Sequence, residues 1–369
     1  MVRRFFPLLL VVLAACPRPD PDPYDPGASL DTDAEGFCSP GPPVFTEEVS
    51  ACVALNTDYR PRDGNSGSDS WPACVSDGNT YVRVNNSTST IARIDAFEQM
   101  APLLWERREV PSPDDFVAAR VLYAQNEGLD SRMQRREDIH YPEAPGGLRC
   151  RDPGVPDQYP DRCVGPAKLL PILNDAFAKG IAGDEPLVQA ARIEAALVWF
   201  LYVSTLSEVT SCATNAPDCD SAWAYYTGGT VRESPRGLGR YIQALGAETH
   251  DRVFDGILAA RCWRDLHPET PAGGLGLRNQ ARDQVDVALL RGVVLLFRQR
   301  LTEISCTDKG VGDARFAFLK VLAPLLARGA EANAPSAAEA LRVAVDVDTP
   351  QQVQVSAAAR AVDALFPCP

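Results

Sequence analysis

Apolar residues recur at helical spacing along the chain from about residue 91 onward. Alanine and leucine dominate there, and the alternation of β-branched residues that is typical of strands is rare. We therefore predict an all-α protein, a multi-helix bundle. The predicted helices cover residues 96–107, 112–127, 167–179, 185–211, 221–226, 238–266, 278–304, 313–328, 336–345 and 351–365, with a break at Gly246 or Gly256.

Two of these predicted helices, 185–211 and 278–304, are long and apolar on most of their faces. A helix with so little polar surface is buried by its neighbours, so we expect both at the centre of the bundle. Charged residues interrupt both apolar runs and argue against membrane spans. These residues are Glu194, Glu208, Arg291 and Arg298.

The two central segments also resemble each other. Glu194-Ala195-Ala196-Leu197 aligns with Asp286-Val287-Ala288-Leu289, and Asp220-Ser221-Ala222-Trp223 aligns with Asp313-Ala314-Arg315-Phe316. We interpret this as a degenerate internal duplication, with pseudo-repeats near residues 185–228 and 278–320. Chance similarity between two helices rich in alanine and leucine is the alternative interpretation.

The N-terminus has the layout of an export signal, with two arginines before an apolar run that ends in small residues. That run is too short to span a bilayer. Its ending, Leu13-Ala14-Ala15-Cys16, resembles the bacterial lipobox. The resemblance implies that residues 1–15 are removed and that Cys16 is acylated and anchors the protein to a membrane. A plain secretory signal followed by an incidental cysteine is the alternative.

Three further regions follow the signal. Residues 16–43 are rich in proline and aspartate, which predicts a disordered tether. Residues 44–90 are polar and predict a small irregular lobe that contains disulfides, with the best strand signal of the chain at residues 80–84. Residues 91–369 form the predicted helical domain.

The cysteine count supports export independently. The chain has eleven cysteines, and without the acylated one the number is even, as expected if all pair in an oxidising compartment. No Cys-x-x-Cys occurs, so a thioredoxin-like site or a zinc ribbon has no support. The sequence leaves many connectivities open. Loop closure favours three local pairs, a fourth pair would join two long helices, and the fifth takes the two cysteines that remain. In this order, the pairs are Cys52–Cys74, Cys150–Cys163, Cys212–Cys219, Cys262–Cys306 and Cys38–Cys368.

The chain of 369 residues is acidic, with 49 acidic against 36 basic residues and a formal net charge of −13 at pH 7. This balance argues against nucleic acid and against anionic lipid surfaces as partners, and it makes cations plausible ones. The alternative is that the acidic surface only keeps an exported protein in solution.

A short motif brings a family resemblance. Residues 219–229 read Cys-Asp-Ser-Ala-Trp-Ala-Tyr-Tyr-Thr-Gly-Gly. This stretch resembles the Asp-x-Ala-Trp-Ala-x-Tyr-x-Gly motif of low-iron-inducible, iron-assimilating periplasmic proteins, which are exported, helical and internally repeated. The resemblance implies a soluble or tethered protein that handles iron. In the second pseudo-repeat, Phe316 stands in place of the tryptophan and no glycine follows.

Four carboxylates at matching positions of the pseudo-repeats suggest a site for iron or another divalent cation. They are Glu194, Glu208, Asp286 and Glu303. Carboxylates on apolar helices are destabilising unless they bind a cation or an arginine. Oxygen ligands alone suit several metals, and none of these four acids belongs to a Glu-x-x-His motif. The alternative, which we favour, is ion pairing with nearby arginines, for which the candidates are Arg192, Arg282 and Arg291.

A second candidate lies in the segment 132–141, which mixes basic, acidic and imidazole groups before a loop rich in proline and glycine. His140 is suited to the role of a metal ligand or a general base. We favour instead a structural role, either capping the C-terminus of a helix or forming a salt bridge.

No His-Glu-x-x-His or Gly-x-Ser-x-Gly motif occurs, so we do not expect an enzyme. The sequence predicts an exported protein that is lipid-anchored to the bacterial cell envelope, at the outer membrane, and that binds a ligand or a metal ion. The alternative is a structural or protein-interaction lipoprotein without a small ligand, with an unknown envelope protein as its partner. An enzyme ranks last.

Overall fold

The computed structural model describes residues 54–61, 71–85, 88–126, 128–269, 271–304, 309–331 and 334–365. In these residues it has thirteen α-helices and no strand, which confirms the predicted all-α bundle. The helices are α1 (Thr90–Leu104), α2 (Pro113–Ala124), α3 (Asp130–Met133), α4 (Val155–Gln158), α5 (Leu170–Ala182), α6 (Pro186–Ser211), α7 (Pro217–Thr227), α8 (Leu238–Leu245), α9 (Ala247–Leu266), α10 (Leu275–Thr302), α11 (Lys309–Glu331), α12 (Pro335–Val345) and α13 (Val355–Leu365).

Helices α6 and α10 form the centre of the bundle, as their apolar sequences predict. Helix α6 packs against α5, α7 and α11, and α10 packs against α9 and α11. Among the described helices, α6 is long and apolar enough to cross a membrane, and 83% of its apolar window is buried inside the fold. That burial is what a core helix shows, since its neighbours already cover the surface that lipid would contact.

Local sequence signals place several helix ends. Pro113 is the first residue of α2, and the Ser112 hydroxyl accepts a hydrogen bond from the Asp115 N–H at 3.3 Å. The predicted break falls at Gly246, which is extended between α8 and α9. Gly256 lies inside α9, where a Cβ atom would meet the Val285 side chain at 2.6 Å. A glycine at this position therefore lets α9 pack closely against α10.

The strand predicted at residues 80–84 does not form, and the backbone N–H at its last residue binds a side chain. The Val84 N–H donates to the Asp220 carboxylate at 2.9 Å. The described parts of the N-terminal segment lie against the helices. Asp58 forms a buried ion pair with Arg252 of α9 at 2.7 Å, and the Tyr59 N–H donates to the Gln284 side chain of α10 at 2.9 Å.

Three disulfides lie within the described residues. The bridges Cys150–Cys163 and Cys212–Cys219 form as predicted, because each joins cysteines close in sequence. The third bridge joins Cys74 to Cys262, which are 188 residues apart. The predicted pairs Cys52–Cys74 and Cys262–Cys306 are therefore wrong, since the segment that carries Cys74 packs on α9.

Several predictions fall outside the described residues. They are the signal at residues 1–15, the tether at 16–43, and the cysteines Cys16, Cys38, Cys52, Cys306 and Cys368.

The two halves of the proposed duplication share an order of helices. In the runs α5–α7 and α9–α11, the middle helix packs against both of its neighbours. However, residues at aligned positions of the two pseudo-repeats bind different partners. Asp220 binds the backbone of residues 84–85, whereas Asp313 pairs with Lys309. The duplication stays a prediction.

Removing the Cys74–Cys262 bridge should destabilise the fold more than removing the Cys212–Cys219 bridge, because the longer loop restricts the unfolded chain more strongly. Double alanine variants should lower the free energy of unfolding by about 5 and about 2 kcal/mol, respectively. Urea unfolding measures both values. Equal losses would contradict the assigned connectivity.

Candidate functional site

Five side chains from four parts of the chain form a closed ring of hydrogen bonds and ion pairs. His140, in the loop after α3, faces Asp138 at 2.6 Å through Nδ1 and Asp286 of α10 at 2.7 Å through Nε2. The Tyr202 hydroxyl of α6 donates to Asp286 at 2.6 Å and accepts from Arg328 of α11 at 3.1 Å. Arg328 Nε lies 3.6 Å from Asp138, which closes the ring.

The ring holds His140 as an imidazolium, because both of its ring nitrogens face carboxylates and must donate. Burial opposes the charge, but the hydrogen bonds to Asp138 and Asp286 outweigh it and raise the pKa of His140 to about 9. Burial likewise opposes the charge of Asp138, and His140 and Arg328 together hold the pKa of that carboxyl below its usual value. The ring thus contains two positive and two negative groups.

This geometry distinguishes between the roles that the sequence left open for His140. The salt-bridge role is confirmed, and helix capping is wrong because α3 ends at Met133. With both nitrogens engaged by carboxylates, His140 has no free lone pair with which to act as a general base. The imidazole therefore joins the loop to α10.

The four predicted metal ligands do not form one cluster. Glu194 and Glu303 share Arg300, at 2.9 and 3.0 Å, and Glu303 also binds Arg315 at 2.8 Å. Burial raises the pKa of Glu194, and Arg300 opposes that rise. This pair of carboxylates is therefore neutralised by guanidinium groups rather than left open for a cation.

The other two acids have their own partners: Asp286 belongs to the ring, and Glu208 binds Arg136 at 3.0 Å. Nowhere in the described part of the chain do three or more His, Cys, Asp or Glu side chains group in a way that could hold a metal ion. The favoured alternative, ion pairing, is confirmed, but with other arginines than expected. Arg192 binds Asp175, and Arg282 binds Asp283.

The motif at 219–229 has structural contacts in this chain. Asp220, fully buried in the first turn of α7, accepts hydrogen bonds from the Tyr81 hydroxyl at 2.9 Å and from the Asn85 N–H at 2.8 Å, besides that from Val84. Trp223 stacks on Tyr81 with ring centroids 4.8 Å apart. These residues attach the N-terminal segment to α7.

A polar cleft of about 730 Å³ lies beside the ring, where the neighbours of His140, Ile139 and Tyr141, form part of its wall. Helix α6 contributes hydroxyl groups and α10 contributes two arginines. We call it the arginine cleft, and its polar lining includes Arg162, Arg278, Arg282, Ser207, Thr210 and Thr214.

The arginines of this cleft differ in how well they are neutralised. Arg162 binds Glu137 at 2.6 Å and donates to the Tyr141 carbonyl at 2.8 Å, so it holds the loop in place. Arg278 has no carboxylate within salt-bridge distance in the described residues, and burial and the nearby Arg282 lower its pKa. Since Arg282 binds Asp283 at 2.7 Å, Arg278 is the one arginine of the cleft without an ion-pair partner in the described residues.

A larger pocket of about 790 Å³ lies between α6 and α11. Its positive groups mostly have carboxylate partners: Lys168 binds Asp161 at 2.6 Å, and Lys309 binds Asp313 at 2.6 Å. Arg192 binds Asp175, and Lys320 donates to the Val347 carbonyl at 2.9 Å. Because each of its four cationic side chains already has a partner in the fold, this pocket is the weaker candidate for a binding site.

Sequence reasoning did not single out Arg278 or the hydroxyls of α6. A signal existed for the arginines, since Arg278 and Arg282 are four residues apart near the start of a long predicted helix, where positive charge is unfavourable. No local pattern indicates that α6 lies opposite them.

Replacing Asp220 should detach the segment that it holds. Asp220→Ala should lower the free energy of unfolding by at least about 3 kcal/mol, because buried donors lose a charged acceptor. The matching Asp313→Ala should cost less than about 1 kcal/mol, since its partner Lys309 is exposed. Denaturant unfolding gives both values. Should Asp220→Ala not fold, faster hydrogen exchange at Val84 and Asn85 in Asp220→Asn provides the same test.

The ring predicts a pH-dependent stability. Because the pKa of His140 is about 9 in the folded chain and near 6.5 when unfolded, its contribution is complete below pH 6.5 and is lost as the pH rises towards 9. The difference in unfolding free energy between wild type and His140→Gln should shrink by about 2 kcal/mol over that range. Denaturant titrations at several pH values measure it, with His267→Gln as the control. An unchanged difference would contradict the charged ring.

No family model, curated protein or solved structure matches this chain. The resemblance to low-iron-inducible periplasmic proteins therefore depends on residues 219–229 alone, and it stays a prediction.

Proposed function

We propose that this chain is an exported bacterial lipoprotein, anchored to the outer membrane through Cys16, whose helical domain binds a small polar ligand in the arginine cleft. The observation that carries the binding role is the guanidinium of Arg278, which lines the cleft without an ion-pair partner in the described residues and whose buried Nε has no hydrogen-bond partner there. In this proposal the protein is a binding module and not an enzyme.

Two features support export. The N-terminal arginines, apolar run and Leu-Ala-Ala-Cys ending are typical of a lipoprotein signal. The three disulfides within the helical fold fit an oxidising compartment. Neither feature depends on the other, because one concerns the leader and the other the packed domain.

The arrangement of charges supports a ligand of this kind over a metal ion. Most buried carboxylates of the described bundle already bind arginine or histidine, as Glu194 binds Arg300 and Glu208 binds Arg136. The arginine cleft combines volume, hydroxyl groups and an unpaired guanidinium, which are features of sites for polar molecules.

The anchor predicts a clear result in cells. Cys16→Ser should leave the leader uncleaved or release the protein from the outer-membrane fraction, because the acylated residue is lost. Membrane fractionation and mass spectrometry of the mature N-terminus measure this. Native protein that still begins at Met1, with all sulfhydryls free to alkylate, would overturn the proposal.

The binding role predicts that protein purified gently in detergent retains a small molecule. Native mass spectrometry should show a mass adduct that denaturation releases, and Ser207→Trp, which fills the cleft, should abolish it. Lys309→Gln, in the larger pocket, is the matched control. An empty protein that instead crosslinks to one envelope protein would support the alternative of an interaction module.

A further inference from the structure

We infer that the ligand of the arginine cleft is a small hydroxylated organic anion, whose carboxylate or phosphate group binds Arg278 and Arg282 and whose hydroxyls face α6. This inference rests on the proposed function, because it specifies what the same cleft binds.

Two of the cleft's three arginines have ion-pair partners, since Arg162 binds Glu137 and Arg282 binds Asp283, but Arg278 has none in the described residues. Among the cleft's lining residues are three arginines and one glutamate, Glu143, whose side chain is 88% exposed. Arg278 Nε is buried and has no hydrogen-bond partner in the described part of the chain. A buried donor without an acceptor is unfavourable, and an anionic oxygen would satisfy it with a charge-assisted hydrogen bond.

The positions of Arg278 and Arg282 on α10 also favour an anion at this wall of the cleft. Arg278 and Arg282 are four residues apart on α10, so their side chains lie on one face and repel each other. Arg278 is the fourth residue of this 28-residue helix, whose first turn has no acidic residue. The helix dipole is positive at this end, and it also disfavours cations and favours an anion.

The opposite wall of the cleft has a different hydrogen-bonding character. The hydroxyls of Thr210 and Thr214 donate to backbone carbonyls, at 3.0 and 3.1 Å, so they present lone pairs to the cleft. Ser211 donates in the same way, to the Glu208 carbonyl at 3.4 Å. Such hydroxyls accept hydrogen bonds from ligand O–H groups and repel an anionic oxygen.

The two walls therefore orient the ligand. Its anionic group lies against α10, where the donors are, and its hydroxyl groups lie against α6, where the acceptors are. A simple inorganic anion would leave the acceptors of α6 without donors, and a neutral polyol would leave Arg278 without an acceptor. A molecule that carries both groups satisfies both walls.

The test uses three sugars that share a hydroxylated ring and differ in charge: glucuronate, glucose 6-phosphate and glucose. Isothermal titration calorimetry with the full-length protein in detergent, stripped of bound molecules, gives their affinities. We expect at least one of the two anions to bind at least about 10-fold more tightly than glucose, and added KCl to weaken that binding. Comparison of the two anions distinguishes a carboxylate site from a phosphate site.

Variants separate binding from folding. Arg278→Gln should weaken anion binding by about 10-fold or more, whereas Lys309→Gln should leave it unchanged. Without ligand, Arg278→Gln should unfold at the same temperature as wild type or higher, because it removes the repulsion with Arg282. A lower unfolding temperature would show that Arg278 is structural and would overturn the inference.

The remaining outcomes distinguish this inference from the proposed function. Glucose binding as tightly as both anions would overturn the anionic class and leave the binding module intact. The absence of saturable binding by either anion would also overturn the inference. The proposed function fails separately, if gently purified protein retains no small molecule.

Discussion

The bundle depends on neutralising charged groups that its central helices bury. Helices α6 and α10 are mostly covered by their neighbours, yet α6 carries the buried carboxylates Glu194 and Glu208, and α10 carries the half-buried Asp286. An unpaired buried carboxylate would favour unfolding or protonation. Each of these groups therefore has a positive partner from another part of the chain, as when the imidazole of His140 reaches across to α10. These pairs constrain how the helices can pack, because a shifted helix would leave a buried charge alone.

Ion pairs also fix the loop that lies beside the ring. His140 and Arg162 hold the loop at residues 137–143 in one position, His140 through Asp286 and Arg162 through Glu137. That loop forms one wall of the arginine cleft. Of the three arginines that line this cleft, Arg278 is the one without an ion-pair partner in the described residues.

Much of the fold follows from the sequence because it depends on local rules. Apolar spacing predicts the helices, Gly246 predicts the break between α8 and α9, and short loops predict two of the disulfides. The carboxylates of α6 and α10 could also be recognised as needing partners. Their partners could not be chosen, because Arg300 and Arg136 lie far from Glu194 and Glu208 in sequence and no local pattern joins them.

The sequence by itself determined the class of the fold, the order of its helices and the need to pair the buried acids, since these depend on residue type and spacing. Tertiary structure alone decided which cation meets which acid, that Cys74 joins Cys262, and that Arg278 faces the hydroxyls of α6. The physical reason is that charge pairing and disulfide bonding act through space. Their energy depends on distances that only the packed helices set.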